Sequence, residues 1–114
     1  MRIDSYSFGR IVIDGTEYTS DVIIYPDRVY ASWWRREGHV LVPEDLSEVL
    51  AYPPDVLVIG AGHSGVMQIP QKTAEAFRQK GIKVHIARTA DAVTLFNRLQ
   101  REHARVVAAL HLTC

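Results

Sequence analysis

The chain has a single cysteine, Cys114, so an internal disulfide is excluded. It has no excess of either charge. Thirteen basic and thirteen acidic side chains cancel to a formal charge of +0, which leaves no electrostatic footprint for nucleic acid or an anionic membrane. No apolar run approaches the roughly 18 residues that span a bilayer. The opening Met1-Arg2-Ile3-Asp4-Ser5-Tyr6 lacks the apolar core of a secretory signal. Repeats, low-complexity tracts and linker-like stretches are also missing. The expectation is a single cytoplasmic domain spanning residues 1–114. That length, with 47% hydrophobic residues, suffices for one core.

The first third reads as β. Arg10-Ile11-Val12-Ile13 runs into Asp14-Gly15, a strong hairpin signal, and Thr16-Glu17-Tyr18-Thr19 is the return strand. Val22 to Tyr25 and Val29 to Trp34 are further strands, rich in β-branched and aromatic residues. Short turns between them predict antiparallel pairing.

The second half alternates. A short helix is predicted from Pro43 to Leu50, with Leu46, Val49 and Leu50 on one face, and Tyr52-Pro53-Pro54-Asp55 ends it. The apolar run from Val56 is a strand buried on both faces. Gln71 to Lys80 is a helix between Pro70 and Gly81. Lys83 to Ala87 is a strand. Thr89 caps a helix to Glu102 with a stripe of Ala92, Phe96, Leu99 and His103. Arg105 to Leu110 is the last strand. Alternating strands and helices imply right-handed parallel crossovers. The predicted fold is a three-layer α/β domain. Its central mixed sheet has an antiparallel N-terminal part and a βαβαβ C-terminal half.

Gly60, Gly62 and Gly65 match the dinucleotide-binding spacing G-x-G-x-x-G. The match fails on mechanism. A pyrophosphate needs a helix N-terminus inside the motif. Here Val66 to Ile69 intervene before Pro70, which disfavours helical angles at Ile69. Arg88 stands where the ribose-binding acid belongs. No cofactor is expected, and NAD and NADP are not expected to bind. What remains is a long loop at a strand's carboxyl end, where ligands of α/β sheets often sit. Gly60, Gly62, His63, Ser64 and Gly65, with Arg88, are its candidate ligand-binding residues, for instance as an anion nest. Ser64 as a nucleophile lacks the second glycine of G-x-S-x-G and a chain long enough for that class. No catalytic residue is therefore assigned.

The five histidines, His39, His63, His85, His103 and His111, show no metal-ligand spacing, so no metal is assigned. Cys114 reads as an incidental thiol. Arg98, Arg101 and Arg105 read as helix-dipole complements on a solvated face. Trp33-Trp34-Arg35-Arg36-Glu37-Gly38-His39 is more informative. Adjacent tryptophans in a strand face opposite sides, so the two should differ in burial. An exposed tryptophan beside arginines is typical of an interface hot spot, although an arginine stacked on an indole needs no partner. Trp34, Arg35 and His39 are the candidate interface residues.

The ordered set Leu57-Val58-Ile59-Gly60-Ala61-Gly62, Ile69-Pro70, Lys80-Gly81-Ile82-Lys83-Val84, Thr89 with Ala92, Phe96-Asn97, Arg105-Val106-Val107 and His111-Leu112-Thr113-Cys114 resembles one small family of unknown function. That family includes the adipogenesis-associated domain protein and a mitochondrial complex I assembly factor. Phe8-Gly9, Tyr18, Asp21-Val22, Trp34-Arg35 and Gly38-His39 extend the likeness over the whole chain, most similar to the adipogenesis-associated branch. The resemblance implies the three-layer α/β fold and brings no catalytic residues. Its assembly-factor member implies a binding role. A mitochondrial address is not expected, because Asp4 and the absence of an Arg-rich amphipathic helix argue against a transit peptide. The leading function is a non-enzymatic protein-binding or assembly module, through a partner or self-association. The alternative is an anion- or small-molecule-binding protein or enzyme using the Gly60–Gly65 loop.

Overall fold

The computed structural model describes residues 1–102 and 105–114. Strands β1 (Ile3–Ser7), β2 (Arg10–Ile13) and β3 (Thr16–Tyr18) form an antiparallel meander. Its second turn is Asp14-Gly15, with φ of 48° and 82°. Two successive positive φ values match the twist of a two-residue hairpin. Strands β4 (Val22–Ile24) and β5 (Val29–Ala31) belong to a separate five-stranded sheet. A 3-10 turn (Pro43–Leu46) leads into α1 (Ser47–Ala51). Then come β6 (Val56–Ala61), α2 (Gln71–Arg78), β7 (Lys83–Ala87), α3 (Thr89–Glu102) and β8 (Val106–His111).

The five strands lie in the order β5-β4-β8-β6-β7. β6 pairs parallel with β7 and β8, and β4 pairs antiparallel with β8 and β5. This is the predicted mixed sheet. The antiparallel N-terminal part, however, is divided: β4 and β5 extend the central sheet, while the meander forms a sheet of its own.

Strand alternation sends the central side chains two ways. Val56 and Val58 pack with Ile11, Ile13 and Phe96, in the layer made by the meander and α3. Leu57 and Ile59 pack with Leu46, Val49 and Phe77, in the layer of α1 and α2. All six residues of β6 are buried, as its unbroken apolar run requires. Asn97 ties the meander to α3: its side chain accepts the Ile3 N–H at 2.9 Å and donates to the Ile3 carbonyl at 2.8 Å. Ala92, Phe96 and Leu99 are buried on α3 as their spacing predicts. His103, the last member of that stripe, lies outside the described residues.

The predicted strand from Val29 to Trp34 stops at Ala31. Ser32 has a φ of 57°, which no strand can continue. The two tryptophans do differ in burial, 5% exposed for Trp33 against 73% for Trp34. The cause is the turn at Ser32 and the fixing of Trp33, not alternation along a strand. The Trp33 N–H donates to the Asp21 carbonyl at 2.9 Å, and its indole N–H donates to the Asp45 carbonyl at 3.0 Å.

Candidate functional site

The glycine loop begins at the end of β6, and α2 starts only at Gln71. Its glycines serve close approach. A Cβ on Gly60 would stand 2.9 Å from both Thr89 Oγ1 and Leu110 Cδ2. Gly62 has a φ of 106°, and its Cβ would stand 2.7 Å from the Thr113 carbonyl oxygen. Thr89 links the strands: its hydroxyl accepts the Gly62 N–H at 3.0 Å and donates to the His111 carbonyl at 2.6 Å. The N–H groups of His63 and Val66 donate to the carbonyls of Thr113 and Cys114, both at 3.4 Å, and that of Gly65 to Gly62 at 3.1 Å. The loop amides available to an anion nest are thus largely donated within the chain. Ser64 is exposed. His63 faces the meander, with Tyr6 Oη 3.3 Å from its Nδ1 and the Phe8 ring edge-on at 5.5 Å. Arg88 lies beside Gly65 and within 3.8 Å of Asp91 at an exposed position.

Gly62→Ala should therefore destabilise the fold by about 1–3 kcal/mol, through overpacking against rigid backbone and a φ unfavourable for any side chain. Gly38→Ala, whose Cβ meets nothing within 4 Å, should stay within about 0.5 kcal/mol. Urea unfolding of the two variants distinguishes these outcomes.

A second centre was not expected from the sequence. Val22 pairs with Leu110, and β4 runs antiparallel to β8, so Asp21 lies opposite the end of β8. Asp21 Oδ1 accepts the Leu112 N–H at 2.7 Å. Its Oδ2 is 2.8 Å from both Arg35 Nη1 and His111 Nδ1. The Arg35 side chain is 6% exposed, that of Asp21 17% and that of His111 8%. Arg35 also donates from Nε and Nη2 to the Gly38 carbonyl, at 3.3 and 3.2 Å, and its guanidinium lies 4.7 Å from the centre of the Trp33 ring. Arg35 Nη2 also lies 3.0 Å from His111 Nδ1. We assign the His111 proton to Nδ1, because a bare Nδ1 would set a lone pair against the Asp21 carboxylate at 2.8 Å, whereas Arg35 has Asp21 and the Gly38 carbonyl to donate to. That leaves Nε2, which is buried without a hydrogen-bond partner.

Burial raises the Asp21 pKa, but the hydrogen bonds from His111, the Leu112 N–H and Arg35 outweigh it and hold the carboxyl below its ordinary value. A lowered folded-state pKa gives stability that is present above the unfolded-state value and lost as pH falls through the folded one. Stability should thus be level down to about pH 4 and fall below it. Asp21→Asn should flatten that acid limb in a series of urea unfolding curves; an unchanged limb would remove Asp21 from this role.

Of the candidate interface residues, Arg35 and His39 are drawn to His111, whose ring centre lies 6.0 Å from that of His39. Trp34 instead lines a groove of about 620 Å³ with Trp33, Tyr25, Tyr30, Arg36 and Asp45. Tyr30, on edge strand β5, is itself exposed. The sequence assigned no site role to Asp21, Thr89 or His111. The one sequence signal for His111 is a polar residue closing an apolar strand.

A family model described as a protein of unknown function (DUF498/DUF598) matches residues 3–111. The chain belongs to that family. Among solved structures it is similar to the conserved hypothetical protein PH1505 of Pyrococcus horikoshii OT3, at 29% identity and a TM-score of 0.83 over 100% of both chains. It is also similar to a protein of Bartonella henselae described as an outer membrane protein, at 28% identity and a TM-score of 0.81, covering 98% of this chain and 94% of that one. A Mth938-like domain from Bordetella pertussis shares the fold at 20% identity and a TM-score of 0.76, with 97% and 85% covered. Among the described residues no helix is long and apolar enough to cross a membrane.

Proposed function

We propose that this DUF498/DUF598 domain is a non-enzymatic binding or assembly module that contacts another protein, or a second copy of itself, through the face around Trp34. The observation that carries this is Trp34 itself, 73% exposed at the rim of an aromatic-lined groove. A large indole left in water is costly unless something covers it, and Trp with Arg is the composition of interface hot spots. Tyr30 on the edge strand offers an adjoining aromatic surface. Within the family we place the chain in the adipogenesis-associated branch, on the ordered residues that resemble it, and in the cytoplasm. The Gly60–Gly65 loop is the weaker alternative, because its amides are largely spent on acceptors within the chain.

The test is Trp34→Ala, followed by sedimentation velocity of the purified protein and by capture of partners from the native host. We expect the variant to fold and to lose self-association or a partner that the parent retains. If parent and variant sediment alike and capture the same proteins, the Trp34 surface is not the binding face.

A further inference from the structure

We propose that His39, His111 and Cys114 bind a zinc ion, with Asp21 orienting His111 and the fourth coordination position open. One ligand atom from each of the three residues lies within 4.8 Å of the other two. In a tetrahedral zinc site, bond lengths near 2.0–2.3 Å set neighbouring donor atoms about 3.4–3.6 Å apart. The inward movement required is on the order of 1 Å, and neither His39 nor Cys114 is buried.

His111 supplies the independent sign of a ligand. Its side chain is more than nine-tenths buried, yet Nε2 has no hydrogen-bond partner. Orphaned buried polar atoms are rare and costly. With the proton on Nδ1, that orphan is a bare lone pair, which is the form that binds a metal. The Nδ1–H to Asp21 contact at 2.8 Å reproduces the carboxylate–histidine–zinc arrangement, which fixes the tautomer and the ring's orientation. Asp21 is itself held by Arg35 and by the Leu112 N–H.

The other two ligands are anchored through backbone. Arg35 grips the Gly38 carbonyl, and the His39 carbonyl accepts the Gln68 N–H at 2.7 Å. The Cys114 carbonyl accepts the Val66 N–H, so the glycine loop holds the thiol's segment in place. Two imidazoles and a thiolate favour zinc over magnesium or calcium, which take oxygen ligands. Three protein ligands leave room for water or a donor from a bound molecule.

The experiment is titration of chelator-treated, reduced protein with Co²⁺, whose spectrum reports its ligands. We expect one equivalent to give a thiolate-to-cobalt charge-transfer band and tetrahedral visible bands, both erased by one equivalent of Zn²⁺. Cys114→Ser should abolish the charge-transfer band, and His39→Ala should weaken Co²⁺ binding at least tenfold. Both positions are exposed, so both variants should keep the parent's unfolding midpoint without metal. Absence of the band from the parent would overturn the site. So would a band of unchanged affinity in His39→Ala, which would mean an adventitious thiol complex. Trp34→Ala should bind Co²⁺ as the parent does, which separates this site from the proposed binding face.

Discussion

Asp21→Ala is expected to cost about 3–5 kcal/mol, the usual penalty for removing one partner of a buried ion pair. Three donors lose their acceptor at once. The most serious is Arg35: its side chain is 6% exposed and its charge would face no anion. The Leu112 N–H loses a 2.7 Å bond at a point where the chain leaves β8, and the His111 Nδ1–H is left in a buried position. Exposed ion pairs elsewhere in the molecule, such as Arg88 with Asp91, offer a contrast, because solvent screening reduces such pairs to about 0–1 kcal/mol. At roughly 4 °C per kcal/mol for a domain of this size, the midpoint of thermal unfolding should fall by about 10–20 °C in Asp21→Ala and by no more than about 4 °C in Asp91→Ala. Equal shifts in the two would mean that water reaches the Asp21 cluster and that it does not organise the end of β8.

How far the chain could be read depended on the range of the determinants. Local patterns were sufficient for β6, whose apolar run has partners on both faces, and for α3, whose stripe through Phe96 lies within one segment. Thr89, expected to cap α3, is instead its first residue and turns its hydroxyl to Gly62 and His111. Asp14-Gly15 announced its turn because two positive φ values suit few other pairs. β1 was missed because Asp4, Ser5 and Ser7 leave it only Ile3 as a fully buried residue; it is a strand through pairing with β2 and the grip of Asn97, a residue 94 positions away. The meander's separation from the central sheet was also invisible, since short turns predict pairing between neighbours but not where a sheet is divided. The Asp21–Arg35–His111 cluster illustrates the same limit in the candidate site. Asp21 and His111 are brought together by the Val22–Leu110 register and Arg35 reaches them from beyond the turn at Ser32, and spacing along the chain carries no trace of it. The proximity of His39, His111 and Cys114 is likewise a product of the fold, which spacing along the chain does not show.

Trp33→Ala should be among the most destabilising single changes, at about 3–5 kcal/mol, whereas Trp34→Ala should stay within about 0.5 kcal/mol. The neighbouring indoles share the rim of one groove but differ sharply in burial. Trp33 is 5% exposed and packs in the layer that contains Leu41, Leu46 and Phe77. Its N–H satisfies the Asp45 carbonyl, and its ring lies against the Arg35 guanidinium. Removing it opens a cavity, orphans a carbonyl and loosens the arginine that holds Asp21. Against a total stability of about 5–15 kcal/mol, that loss is a large share. Trp34 is 73% exposed, so its removal takes away mainly exposed surface. Tryptophan fluorescence during urea unfolding measures both effects in one experiment. Trp34→Ala leaves the buried Trp33 as reporter and should show emission that shifts to the red on unfolding at nearly the parent's midpoint. Trp33→Ala leaves the exposed Trp34, whose emission should already be red-shifted and change little, so its unfolding is followed by circular dichroism, at a much lower midpoint. If the two midpoints exchange places, Trp34 is the core residue and the binding face must be sought around Trp33.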